Sequence, residues 1–188
     1  MKLTGTEDLR VRRTLEAIRR SFESLLLEKD YEKITVTELA ERAMINKKTF
    51  YTYYQSLDDL LTEIQDELSQ EFAERTKNYT YRDIEALTRE FFLFSEEKGP
   101  FYEKITCSDN IIRNRMIRNV TKTADRGYRE LKQFSEYEQN LIRAFASSTT
   151  LSVYKQWIED GKKVPVDRVI ELTSVMINSG MKQIIRQK

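Results

Sequence analysis

Four polar side chains, Lys47, Lys48, Thr49 and Thr52, are threaded through the aromatics Phe50, Tyr51, Tyr53 and Tyr54 in the stretch MINKKTFYTYY, residues 44 to 54. Short polar or basic side chains on a helix suit the base edges and phosphates of a major groove about 12 Å wide. Phe50 and Tyr54 are four apart, so they share one helix face and can anchor it inward. Tyr51 and Tyr53 point elsewhere and can offer hydroxyls to phosphates at the groove's edge. The competing reading is an amphipathic helix with two solvated lysines, and the flanking residues decide between the two.

Other chemistry is thinly represented. The chain has no histidine and one cysteine, Cys107. Ser-His-Asp and Cys-His nucleophilic systems are thereby excluded, as are histidine-based zinc sites. The carboxylates alternate with Lys or Arg along helix faces, and no pair stands out as a general acid and base. Cys107 cannot close an internal disulfide and fits a small core residue. The expectation is a protein that is not an enzyme, with no metal and no cofactor. No run approaches the roughly 20 apolar residues of a membrane span, and no secretory signal is evident. A cytoplasmic protein without membrane partners is expected.

The elements that must position the polar stretch are all helical. The chain has 188 residues, of which 39% are hydrophobic and 34% charged, which suits helices that each bury one stripe. The formal net charge of +1 hides an uneven distribution: residues 10 to 20 hold five arginines and one glutamate, whereas 57 to 74 are dominated by acids. Gly and Pro are both missing from 6 to 98, so punctuation there must come from caps. A first helix fits 7 to 28 on the stripe Leu15, Ile18, Phe22, Leu25 and Leu26. Thr35 to Glu38 reads as a capping box opening a short helix that ends near Met44. Asn46 caps a second short helix, and Ser56 caps a long one to about 77. Beyond it, helices are expected over 81 to 98, stopped by Gly99-Pro100, over 101 to 105 and 109 to 134, and over the pair 136 to 160 and 165 to 186. About nine helices result, in an all-α protein.

Two short helices joined by a three-residue turn after a longer helix make a helix-turn-helix. TVTELAERAMINKKTFYTYYQSLDDLL resembles the N-terminal domain of the TetR family of bacterial transcriptional regulators, and the likeness is dense over residues 9 to 62. Ala40 and Ala43 take the small packing positions, Ile45 the apolar turn position, and Thr49-Phe50-Tyr51 the most characteristic triplet. The resemblance implies a helix-turn-helix DNA-binding domain over 1–54, contacting double-stranded operator DNA through Thr35, Thr37, Asn46, Lys47, Lys48, Thr49, Tyr51, Thr52 and Tyr53. It implies an effector-binding and dimerisation domain over 55–188, and a homodimeric, ligand-responsive repressor on a palindromic operator. A coactivator of the same family working through a protein partner is the alternative; a helical-bundle enzyme or carrier stands behind it. Two positions depart from the family pattern. Met44 stands where glycine is usual, at a residue that tends to be left-handed. Leu57 replaces a lysine that touches a phosphate, which would lower the salt slope by about one unit.

Residues after 65 carry weaker signals. Aromatics concentrate at 79 to 102, and an apolar or aromatic effector is expected in a pocket lined by Phe91, Phe94, Phe101, Tyr102, Met116, Tyr128 and Trp157. The last helix is apolar on two sides: Val169, Leu172 and Met176 form one stripe, and Val166, Ile170, Ile177, Met181 and Ile184 the other. A homodimer through the last two helices is expected, with Phe145, Thr149, Val153, Ile170, Thr173, Ile177, Met181 and Ile184 at its interface.

Overall fold

The computed structural model describes residues 9–79, 83–107, 131 and 133–186, and these contain helices and no strands. In chain order they are α1 (Leu9–Glu28), a 3-10 turn (Tyr31–Lys33), α2 (Val36–Arg42), α3 (Lys47–Tyr53), α4 (Leu57–Thr76), α5 (Ile84–Cys107), α6 (Glu136–Glu159) and α7 (Val166–Arg186). The helix expected over 109 to 134 lies almost wholly outside the described residues. Contacts divide the chain into two units, Met1–Glu67 and Leu68–Lys188, with the boundary inside α4.

The first unit is built on the stripe of α1. Ile18, Phe22, Leu25 and Leu26 are buried, together with Leu39 and Ala40 of α2, Phe50 of α3, and Leu60, Leu61 and Ile64 of α4. Charges tie the outer faces. Arg42 of α2 grips Glu28 of α1 with both terminal nitrogens, at 2.5 and 2.7 Å, and reaches Ser24 at 2.9 Å. The hydrogen bonds from Arg42 hold the Glu28 carboxyl below the usual carboxylate range. Half of the expected capping box forms on α2. The Thr35 side chain accepts from the amide of Glu38 at 3.2 Å, but the Glu38 carboxylate takes the Lys29 ammonium at 2.6 Å rather than turning back to the Thr35 amide. A charged donor within reach makes the stronger hydrogen bond.

The end of α2 is a Schellman motif. The amide of Met44 donates to the Glu41 carbonyl at 3.1 Å and that of Ile45 to the Ala40 carbonyl at 2.9 Å. Closing it requires Met44 to sit at φ 53, where a side chain is strained and glycine is not. The Met44 side chain is 92% exposed and recovers nothing by packing.

In the second unit α5, α6 and α7 pack on one another. A full capping box, Ser135 with Glu138, opens α6. The expected stop at Gly99-Pro100 is instead a kink: Gly99 leaves helical geometry at φ 71, ψ −161, and the helix resumes at Pro100 and runs to Cys107. Proline fits the first turn of the resumed segment, where its missing amide leaves no bond unmade. Just before the kink lies an ion cluster. Arg75 of α4 holds Glu97 at 2.7 and 2.8 Å and Glu71 at 3.0 Å, while Lys98 reaches Glu71 at 2.7 Å. Arg75 and Lys98 both lie against the Phe94 ring, 4.9 and 5.2 Å from its centre. Ile84, Leu131, Phe134, Ile142, Ile177 and Met181 make a core cluster, with Ala146 against it.

Two stability effects follow from the backbone. Gly99→Ala should cost about 1–3 kcal/mol in urea unfolding, because a methyl there meets nothing within 4 Å and only the φ is strained. Met44→Gly should go the other way, raising the unfolding free energy by about 1 kcal/mol as the left-handed strain is relieved.

Candidate nucleic-acid interface

At seven residues, α3 is too short to persist alone, so its neighbours must hold it. Asn46 caps it twice, its Oδ1 accepting from the Thr49 amide at 2.7 Å and from the Thr49 hydroxyl at 3.0 Å. Phe50 is fully buried and Tyr54 is 5% exposed, their rings 5.7 Å apart. The Tyr54 hydroxyl donates to Glu63 at 3.2 Å. Burial, and then the Glu63 charge, push the Tyr54 phenol well above its ordinary range, so it stays a neutral donor.

With that face fixed, the opposite one is turned outward. Lys47, Lys48, Tyr51 and Thr52 are exposed, and Tyr53 is half-buried. No carboxylate among the described residues holds either lysine. Tyr51 meets Phe50 edge-on at 5.5 Å, which steers its hydroxyl away from the core while leaving the residue 55% exposed. Thr52 donates to the Lys48 carbonyl at 2.9 Å, so its methyl and oxygen remain available outside. Thr35 and Thr37 are exposed at the start of α2. The expected set therefore separates by task. Asn46 and Thr49 are joined in the cap that starts α3, and Thr35 caps α2. Lys47, Lys48, Tyr51 and Thr52 form the outward surface.

The start of α4 lies next in the chain, and one of its contacts was not visible beforehand. Leu57 opens α4 half-buried, followed by the exposed acids Asp58 and Asp59. Ser56 accepts from the Asp59 amide at 3.2 Å, and the Asp59 carboxylate accepts from the Gln55 amide at 3.1 Å. Asp58 accepts from the Tyr31 hydroxyl at 2.7 Å. The partners Tyr31 and Asp58 are 27 positions apart, so no local pattern could have paired them.

The residues expected at a dimer interface fall into two groups. Ile170, Thr173, Ile177 and Met181 are between 0 and 3% exposed; they face the unit's own core, and the Thr173 hydroxyl is closed on the Val169 carbonyl at 2.7 Å. They leave no surface for a partner, which corrects the expectation for this stripe of α7. Phe145 is 45% exposed and lies over Gly180, where an added methyl would meet its ring at 3.3 Å. Thr149 and Val153 are half-buried. The side chain of Ile184 lies outside the described residues. Of its other expected stripe α7 exposes Leu172 and Met176, joined by Val175, while Val169 is buried, and α6 exposes Tyr137 and Leu141 beside Phe145.

Of the expected pocket residues, Met116 and Tyr128 lie outside the described residues. Phe91, Phe94 and Tyr102 are buried, Phe101 and Trp157 half-buried. All but Phe101 belong to a continuous row of ring contacts that runs from Tyr102 through Phe94, Phe72, Phe91 and Tyr154 to Trp157. Trp157 donates its indole N–H to the Val164 carbonyl at 2.7 Å. Hydroxyls enter this row as well. Ser95 is fully buried, donates to the Phe91 carbonyl at 2.7 Å and bonds the phenols of Tyr102 and Tyr154. Burial raises both phenols far above their ordinary range.

Known proteins resemble both units. The TetR-type transcriptional regulator C-terminal region matches residues 82–179, and the helix-turn-helix of insertion element transposases matches residues 10–91. The dhaKLM operon transcriptional activator DhaS of Lactococcus lactis is 29% identical over 99 residues, which are 51% of this chain and 50% of that protein. The matched stretches span half or less of the curated relatives' length. A TetR transcriptional regulator of Streptococcus agalactiae superposes with a TM-score of 0.68 at 22% identity, covering 89% of this chain and 95% of that one. The regulator FadR of Bacillus subtilis, solved with stearoyl-CoA, also gives 0.68, at 17% identity over 88% and 98% of the two chains. At such identities the likeness is one of fold. No helix among the described residues is long and apolar enough to cross a membrane.

Proposed function

The chain belongs to the TetR family of transcriptional regulators, and we propose that it acts as a homodimer that represses from a palindromic operator until an effector enters its C-terminal unit. DNA binding is the family's means of action, and the observation that carries the rest of the reading is the division of α3. Phe50 and Tyr54 are buried while Lys47, Lys48, Tyr51 and Thr52 stand outward, two of them cations that no described carboxylate neutralises. In this reading α3 lies in the major groove, the lysines and Thr52 meet base edges and phosphates, and Tyr51 and Tyr53 meet phosphates.

Dimerisation is supported by the apolar stripes left exposed on α6 and α7. Leu172, Val175 and Met176 recur at helical spacing, as do Tyr137, Leu141 and Phe145, and Ser148, Ser152 and Ser179 extend the two lines without charge. Two such helices from each copy form a four-helix contact. A two-fold axis then sets two α3 helices on half-sites about one or more helical turns apart.

The effector reading rests on the aromatic row. An apolar or aromatic compound suits it, as stearoyl-CoA does the FadR of similar fold. The proposed link is α4, which runs without Gly or Pro from Leu57 to Thr76 and has residues in both units. A helix so uninterrupted carries a displacement rather than absorbing it. The similarity to an operon activator over 99 residues favours a second reading, in which the same DNA-binding unit activates through a protein partner. Deleting the gene separates the two: neighbouring transcripts rise under repression and fall under activation.

DNA recognition is tested by titrating labelled promoter duplex against random duplex at about 150 mM salt; equal affinity for the two would remove the reading. Lys48→Ala should weaken binding to both duplexes and lower the salt slope by about one unit per half-site. Tyr51→Ala should weaken it with thermal unfolding unchanged, since the ring is mostly exposed. For the dimer, Leu141→Glu combined with Val175→Glu should shift the protein to a monomer in sedimentation velocity, whereas Ile177→Ala should instead lower stability by about 2–5 kcal/mol.

A further inference from the structure

Buried hydroxyls of the second unit close on their neighbours. Ser95 donates to the Phe91 carbonyl and bonds the Tyr102 and Tyr154 phenols, and Thr173 and Ser174 close on α7. Ser69 of α4 does not. It is 3% exposed, and its Oγ has no hydrogen-bond partner among the described residues. A polar group left so in a core is uncommon and asks for a partner. Its place is set by the residues around it. Ser69 and Phe72 are three apart on one face of α4, and the Phe72 ring meets Phe91 and Phe94 of the aromatic row. Glu71, one residue before Phe72, pairs with Lys98. The α5 numbers thus rise as the α4 numbers fall, and Ser69 stands toward the Gly99 kink. A methyl built on Gly99 meets nothing within 4 Å, so the kink is not closed over.

Charge around the row is already matched. Three cations lie over its rings, Arg75 and Lys98 on Phe94 and Lys162 on Trp157. Each holds a carboxylate, respectively Glu97, Glu71 and Glu103, and an anionic ligand would have to displace one of these. We infer that the effector is an uncharged, largely apolar compound carrying a hydroxyl or carbonyl group, and that Ser69 receives this group by a hydrogen bond. The inference rests on the reading that the effector enters at the aromatic row. A serine hydroxyl can donate to a carbonyl or accept from a hydroxyl. Because that of Ser69 is already out of water, the bond formed is worth about five- to tenfold in affinity. It also fixes the polar end of the ligand on α4 itself, the helix that continues into the first unit.

Naphthalene, 1-naphthol and 1-naphthoate test this, since they share a ring system and carry no polar group, a neutral hydroxyl and a charge. Binding of each to the whole protein is measured by equilibrium dialysis near neutral pH. 1-Naphthol should bind about five- to tenfold tighter than naphthalene, and 1-naphthoate should bind weakest. Ser69→Ala should erase the preference for 1-naphthol and leave naphthalene affinity unchanged. Its thermal unfolding should match or exceed the parent's, since no bond within the protein is lost. Ser95→Ala, which breaks bonds already made, should lower the unfolding temperature and keep the preference. If the parent binds naphthalene and 1-naphthol equally, or Ser69→Ala keeps the preference, the role given to Ser69 is wrong and an effector site in the row stands. If 1-naphthoate binds tightest, the uncharged class is wrong. If none of the three binds, the reading of the row as an effector site falls and takes the inference with it.

Discussion

A helix of seven residues has too few internal hydrogen bonds to hold its own shape in water, and everything the N-terminal unit presents depends on how α3 is held from outside. Two devices do it. Asn46 engages both the amide and the hydroxyl of Thr49, fixing where the helix starts. Phe50, fully buried, and Tyr54, bonded to Glu63, fix which face is inward. Because these constraints act on the start and on one side, the other side is left free of structural duty, and it is there that the cations stand. The same anchoring explains why α2 can end on a strained methionine. Ile45 must turn back onto the Ala40 carbonyl for Asn46 to arrive at the right place, and the left-handed residue between them is the cost of the turn.

The second unit follows a different rule. Its last two helices are apolar on more than one side, so burial is a matter of allocation. On α7 the stripe Ile170, Thr173, Ile177 and Met181 is spent on the unit's own core. Buried hydroxyls there close on their own helix, Thr173 on Val169 and Ser174 on Ile170, both at 2.7 Å, so polar atoms inside the core are satisfied locally. The stripe Leu172, Val175 and Met176 is left over.

These two rules set what could be read from the chain. The caps Thr35, Asn46 and Ser56 were legible because each interaction spans three residues and the side-chain type names it. The inward pair Phe50 and Tyr54 was legible from spacing and from the likeness to known regulators. Periodicity announced two stripes on α7 but not which would face the core, since both repeat at the helical interval and only the neighbouring helices choose. Gly99 and Pro100 marked a break, yet nothing local tells a stop from a kink with the helix resuming. Glu38 was drawn from its amide partner to Lys29, and Tyr31 found Asp58, because charge and hydroxyl act across space.

The chain has a single tryptophan, and its setting gives the protein a built-in optical probe. Trp157 ends the aromatic row against Tyr154 and Phe92, with the Lys162 ammonium 5.6 Å from its ring centre and its N–H on the Val164 carbonyl. Indole emission is sensitive to a nearby charge, to a lost hydrogen bond and to the admission of water. All the intrinsic tryptophan fluorescence therefore originates at one end of the row proposed to meet the effector. Compounds can be screened for entry there by emission wavelength alone, with no label, no DNA and no knowledge of the operator.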